Sequence, residues 1–225
     1  MTPSQTIVFD LDGTLVDTAP DLINALNHVL VREKLAPIPL EQARGLIGGG
    51  ARKLIERGLE AEGRSASAGI ISAMTADFIS HYAEHIADES RPFEGMLAAL
   101  DDLSALGHVL AVCTNKLEWL SLRLLERLGM KSRFAAICGS DTFGVQKPDP
   151  AILRQTVVRA GGQLDRAIMV GDAGTDVGAA RRAGIPVIGV SFGYTEVPMA
   201  DLKPDRLIHS MHDLPEAVAS LTARP

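Results

Sequence analysis

The sequence predicts an α/β fold: a doubly wound, Rossmann-like parallel sheet with an inserted helical cap. Two observations carry the sheet. Short, mainly apolar runs recur along the chain, and segments with helical spacing separate them. A third observation carries the insertion: residues 18–91 hold helical patterns and no convincing strand. The first run, Thr6-Ile7-Val8-Phe9, is β-branched and aromatic and stops at Asp10-Leu11-Asp12-Gly13-Thr14. It reads as a buried strand ending in a polar loop. Val109–Cys113, residues 135–138, residues 167–170 and Val187–Val190 repeat the pattern, and Leu207-Ile208 is a candidate for a short sixth strand.

Apolar residues spaced by three and four predict helices over residues 97–106, 117–128, 151–160 and 177–183. Gly107, Gly129, Gly161 and Gly184 stand just past them, where a glycine commonly ends a helix. In the insertion the same spacing predicts helices over 21–34, 51–61 and 67–85, the first two separated by Pro37, Pro39 and Gly48-Gly49-Gly50. The expected division is a catalytic core of residues 1–17 and 92–225 and a cap of residues 18–91, with hinges at 16–20 and 91–95. The competing arrangement lays these helices on the sheet as ordinary layers.

Composition narrows the function. Of 225 residues, 46% are hydrophobic and 22% charged, enough apolar surface for a sizeable core. Aromatics make up only 4%, so aliphatic side chains must fill it. A net charge of -6 offers no global field for nucleic acid or an anionic membrane, so an anionic ligand needs a local site. The two cysteines, Cys113 and Cys138, lie in apolar runs and read as buried reduced thiols. Neither a basic, apolar leader nor a stretch of roughly 20 apolar residues is present, so a cytoplasmic protein is expected.

In a doubly wound sheet, ligands bind beyond the carboxyl ends of the strands. The residues there are Asp10 and Asp12 after the first run, Thr114, Asn115 and Lys116 after the second, Lys147-Pro148 beyond the third, and Gly171-Asp172 with Asp176 after the fourth. One rim thus collects carboxylates, a hydroxyl, an amide and an ammonium. In this the chain resembles the haloacid dehalogenase superfamily of phosphatases. Asp10-Leu11-Asp12-Gly13-Thr14 is similar to the family's DxDGT motif, Thr114 to its second motif, Lys147 to its third, and Gly171-Asp172 with Asp176 to its GDxxxD motif. The resemblance covers nearly the whole chain, and the inserted helices are similar to that family's helical cap.

The resemblance implies Mg2+-dependent hydrolysis of a small phosphate monoester. Asp10 is the expected nucleophile, forming an aspartyl-phosphate, and Asp12 the expected general acid and base. Asp10, the backbone carbonyl of Asp12, and Asp172 are the implied metal ligands, and Asp176 is implied to bind a metal-bound water or hold neighbouring groups. Thr114, Asn115 and Lys147 are expected to hold the phosphoryl oxygens. Within the family the pattern most resembles phosphoglycolate phosphatases, through the cap, Thr114-Asn115-Lys116 and Lys147-Pro148-Asp149-Pro150. It departs from them at Leu117, where proline is common, and at Ala173, where serine is. The alternatives are a pyrophosphatase, another sugar- or nucleotide-phosphatase, a phosphosugar mutase, a metal-independent haloacid dehalogenase, or a silent binding module. The last two lack the second catalytic aspartate, or the nucleophile or a metal ligand, and all of these are present here.

Gly48-Gly49-Gly50-Ala51-Arg52-Lys53 has two readings. Free N–H groups with Arg52 can meet an anion, making Gly49 and Arg52 candidate substrate contacts, or the run is a solvated connector. His81 and His85, one helical turn apart, read as an exposed helix face, and Asp17 and Asp21 as hinge and capping residues. The expected partner is a small phosphorylated metabolite, met by a monomer or homodimer, with no nucleic acid and no membrane.

Overall fold

The computed structural model describes residues 4–195 and 197–222. Its central sheet has six parallel strands: β1 (Thr6–Phe9), β4 (Val109–Cys113), β5 (Ala136–Cys138), β6 (Ala167–Gly171), β7 (Val187–Val190) and β8 (Arg206–Ile208). They lie in the order β5-β4-β1-β6-β7-β8. Ile7 is in register with Leu110 on one side and Ile168 on the other. The short sixth strand is present as β8, one residue longer at its start than its apolar pair.

Alternation along each strand splits the core into two layers. Ile7, Phe9, Leu110, Val112, Ile168 and Val170 face one way. They pack with α5 (Met96–Ala105), α6 (Glu118–Arg127) and α9 (Leu214–Thr222). Val8, Ala111, Cys113, Ala167 and Met169 face α7 (Pro150–Arg159) and α8 (Gly174–Ala183). Small Ala and Cys side chains on this second face let the helices approach closely. Two helix ends on this face have a local cause. Asp149 accepts a hydrogen bond from Ala151 N at 2.8 Å, with Pro150 in the first turn of α7. Gly184 ends α8 in the left-handed region, at φ 79°.

Between β1 and β4 the chain forms α1 (Ala19–Arg32), α2 (Leu40–Ala43), α3 (Ala51–Ala61) and α4 (Ala68–Glu84). α1 packs on α3 and α4, and α3 on α4. The three long helices fall within two residues of the expected ranges. The short α2 and the C-terminal α9 have no counterpart among the expected elements. Both segments flanking the insertion are strands: β2 (Val16–Asp17) and β3 (Arg91–Pro92) pair antiparallel, Val16 opposite Pro92. Asp21 ties the same crossing together. It is 1% exposed and accepts hydrogen bonds from Glu89 N, Ser90 N and Ser90 Oγ.

Candidate active site

β1 sits where the strand order turns, with β4 on one flank and β6 on the other, and the crevice for a ligand opens at their carboxyl ends. Each of the three strands delivers its polar residue there. Asp10 N bonds to Val170 O at 2.9 Å, continuing the ladder one residue past β1. Thr114 N does the same with Cys138 O at 3.0 Å. The loop after β6 brings Asp172 and, on the first turn of α8, Asp176.

Ligand oxygens of Asp10, Asp172 and Asp176 lie within 4.8 Å of one another. Lys147 Nζ stands among them, 2.8 Å from Asp10 Oδ1 and 2.6 Å from Asp176 Oδ1. Asp176 also accepts from Ala173 N at 3.0 Å, supplying at the start of α8 the cap that the alanine side chain lacks. Asp172 accepts from Thr14 Oγ1 at 2.7 Å and from Tyr194 N at 2.8 Å. Its carboxylate is pressed between two glycines: a Cβ on Gly13 would come within 2.4 Å of Asp172 Oδ2, and one on Gly193 within 2.2 Å of Asp172 Cβ. Gly13 also has φ +82°, so both the turn and the close approach call for glycine.

The cluster is rich in negative charge. Burial, opposed in part by Lys147 and reinforced by Asp176, raises the Asp10 carboxyl to about 6. Burial with the Asp10 and Asp176 charges raises Asp172 to about 8. Lys147 shows the converse. Burial works against its charge, but Asp10 and Asp176 outweigh burial and hold the ammonium above its ordinary value. One lysine therefore leaves three buried carboxylates short of positive charge. An all-oxygen donor set with that deficit fits a hard divalent cation.

Asp12 stands at the edge of this cluster, facing the insertion. Its Oδ1 accepts from Thr18 Oγ1 at 2.8 Å and lies 3.1 Å from Lys116 Nζ. Lys116 is buried and also bonds Tyr82 OH of α4 at 3.1 Å. Asn115 lines the cavity with its amide engaged on the Lys147 backbone: Oδ1 accepts from Lys147 N at 2.8 Å and Nδ2 donates to Lys147 O at 3.0 Å. Both atoms clamp the segment that carries Lys147. Thr114 is 1% exposed and lines the cavity.

The cavity has a volume of about 280 Å³. Asp10, Asp12, Asp172, Thr114 and Lys116 line one side, and Leu22, Leu54, Phe78 and Tyr82 of the inserted helices the other. The 48–50 loop closes over it, and a Cβ on Gly50 would lie 3.5 Å from Asn115 O. Gly49 and Arg52 both line the cavity, with Arg52 Nε paired to Glu56 at 2.9 Å. His81 of α4 and His85 just past its end are in ring contact with each other, His81 stacks on His28, and His85 pairs with Asp88. Asp17 pairs with Arg44 and the Tyr194 hydroxyl. Both cysteines are buried free thiols, and burial pushes Cys113 up to about 12.

Lys116, Tyr82 and Tyr194 are contacts that sequence reasoning did not assign. Lys116 was visible as a strand-end residue. Tyr82 follows Phe78 by one helical turn, a spacing that also marks core. Tyr194 lies in an irregular loop with no period to read.

Fold and site together define an α/β enzyme built around a strand-end carboxylate cluster. Residues 7–190 match the family described as haloacid dehalogenase-like hydrolase, and the chain belongs to that family. Among its relatives is the phosphoglycolate phosphatase of Caulobacter vibrioides, 47% identical over 96% of this chain and 91% of its own length. The phosphoglycolate phosphatase of Agrobacterium fabrum is 46% identical over 94% and 91%. A crystal structure of a predicted phosphoglycolate phosphatase from Haemophilus somnus superimposes with a TM-score of 0.89 at 29% identity, covering 96% of this chain and 99% of that one.

Proposed function

We propose that the protein is a Mg2+-dependent phosphatase that hydrolyses 2-phosphoglycolate to glycolate and phosphate through a phosphorylated Asp10. The observation that carries the chemistry is the arrangement at Asp10: a carboxylate grouped with Asp172 and Asp176, with Lys147 Nζ 2.8 Å away, at the wall of a cavity. The substrate is supported by the relatives named above, which align over nearly the whole chain. In this reading residues 18–91 are a cap that covers the site, and the β2–β3 pair is its hinge.

Asp10, Asp172 and the backbone carbonyl of Asp12 would hold Mg2+, with Asp176 beside them. When bound, the ion would offset the repulsion between the Asp10 carboxylate and a phosphate dianion and polarise a phosphoryl oxygen. The chain's own residues do the rest. Lys147, held by Asn115 from behind, fixes Asp10 and meets the charge that develops on the transferring phosphoryl group, as does the Thr114 hydroxyl. A carboxylate oxygen of Asp10 bonds to phosphorus as the ester P–O bond breaks. Asp12 gives its proton to the departing alkoxide, releasing glycolate. The Asp12 carboxylate then takes a proton from a water that attacks phosphorus, and the new P–O bond displaces Asp10. Closure by the inserted helices limits stray water during these steps. Gly49 and Arg52 would border the substrate from the loop side of the cavity.

Phosphate release from a panel of phosphorylated metabolites tests the reading. The fastest release is expected from 2-phosphoglycolate, lost in EDTA and restored by Mg2+. Activity confined to other esters would displace the substrate, and full activity in chelator would contradict the metal.

A further inference from the structure

Lys116 is the second buried lysine of the site, and the chemistry above leaves it without a task. It lies just past β4, 8% exposed, and lines the cavity. Its Nζ is 3.1 Å from Asp12 Oδ1 and 3.1 Å from Tyr82 OH, and it lies 4.5 Å from the centre of the Tyr82 ring. An ammonium has three N–H donors. Tyr82 OH takes one, and Asp12 Oδ1 lies within ion-pair distance of the same ammonium, so N–H capacity remains for a further acceptor. Tyr82, accepting from Lys116, keeps its own O–H to donate, and it too lines the cavity. An N–H and an O–H so close together form a fork that matches the two oxygens of a carboxylate.

The position of the fork matters as much as its chemistry. It adjoins Asp12, the group that protonates the leaving oxygen. In 2-phosphoglycolate one carbon separates that oxygen from the carboxylate. A substrate that sets its ester oxygen against Asp12 therefore brings its carboxylate beside Lys116. The other cation lining the cavity among the described residues is Arg52, which is exposed along much of its length and already paired with Glu56. A buried, pre-held ammonium is the better reader, because it loses less side-chain freedom and is less screened by water.

We propose that Lys116, supported by Tyr82, is the specificity-determining residue that binds the substrate carboxylate. The proposal rests on the reading above, in which Asp12 is the acid and the substrate carries a carboxylate one carbon beyond the ester oxygen.

The test compares 2-phosphoglycolate with ethyl phosphate, the same ester with a methyl group in place of the carboxylate. The quantity read is the ratio of their kcat/KM values, which cancels any general damage to the site. The wild-type protein should favour 2-phosphoglycolate. Lys116→Met should lower the ratio at least about tenfold, mainly by raising KM for 2-phosphoglycolate, the loss expected for one charge-assisted hydrogen bond. Tyr82→Phe should lower it by a smaller factor. Lys116→Arg keeps the charge, so it should hold a ratio nearer to wild type than Lys116→Met does. It also serves as the informative variant if the methionine form does not fold.

Equal loss on both substrates in Lys116→Met would overturn the proposal, because it would make Lys116 a support for Asp12 alone. So would a ratio that survives Lys116→Met but collapses in Arg52→Ala. A wild-type protein that hydrolyses ethyl phosphate as well as 2-phosphoglycolate would instead remove the substrate assignment itself. Selectivity that is present in wild type and retained in Lys116→Met removes only the role of Lys116.

Discussion

Lys147 is 1% exposed, and its ammonium faces two carboxylates rather than water. Charges buried in this way depend on their partners, and removing one partner commonly costs about 3–5 kcal/mol. Lys147→Met should lower stability by about that amount in urea unfolding without metal, and by less in saturating Mg2+, which would take over part of the neutralisation. An unchanged unfolding midpoint would mean that the ammonium is not the counter-charge of the cluster. At this scale legibility was uneven. Asp10, Asp172 and Lys147 could be read because their chemistry fixes their residue type at strand ends. Asn115 was read for its type and position, but its clamp on the Lys147 backbone was not, because such a contact leaves no trace in spacing. Tyr82 could not be told from the core residue Phe78 on the same helix face.

The elements that join the inserted helices to the sheet carry more structure than a flexible hinge needs. β2 and β3 pair across the two crossings, and Asp21 at the start of α1 accepts three hydrogen bonds from the returning chain. Asp21→Ala would leave two backbone N–H groups and a hydroxyl in this place without their acceptor. The expected loss is about 2 kcal/mol, measured by urea unfolding. A loss within about 0.5 kcal/mol, the range of ordinary surface changes, would mean that the crossing is held elsewhere. The two crossings fall inside the segments expected to join the insertion to the sheet, 16–20 and 91–95, but their pairing was not legible, because a two-residue strand has no period. The four residues of α2 are likewise too few to show a helical repeat. The longer elements were legible since burial on one face imposes the three-to-four spacing over several turns.

For the whole molecule, the carboxylate cluster links folding, pH and metal. Asp10 and Asp172 rise from an ordinary 3.8 to about 6 and about 8. Between those limits the folded, metal-free protein holds more protons than the unfolded chain, so its stability falls as pH rises from about 4 to about 8. Mg2+ competes with those protons. The gain in Tm on adding Mg2+ should therefore be small near pH 5 and largest near pH 9, and a gain independent of pH would place the ion away from these carboxylates. The parallel sheet with helices on both faces, and the meeting of its strand ends, were legible because topology alone sends Asp10, Thr114 and Asp172 to one rim. How the 48–50 loop and Tyr82 close on that rim depends on packing between helices distant in sequence, which spacing does not encode. The central claim is that Asp10 carries the phosphoryl group. It is tested most directly by acid-quenching the enzyme during turnover of 2-phosphoglycolate and locating phosphate on its peptides by mass spectrometry. The account predicts one phosphoryl group on Asp10, labile to alkali and absent from Asp10→Asn. Steady turnover by Asp10→Asn, or phosphate carried on a different residue, would contradict it.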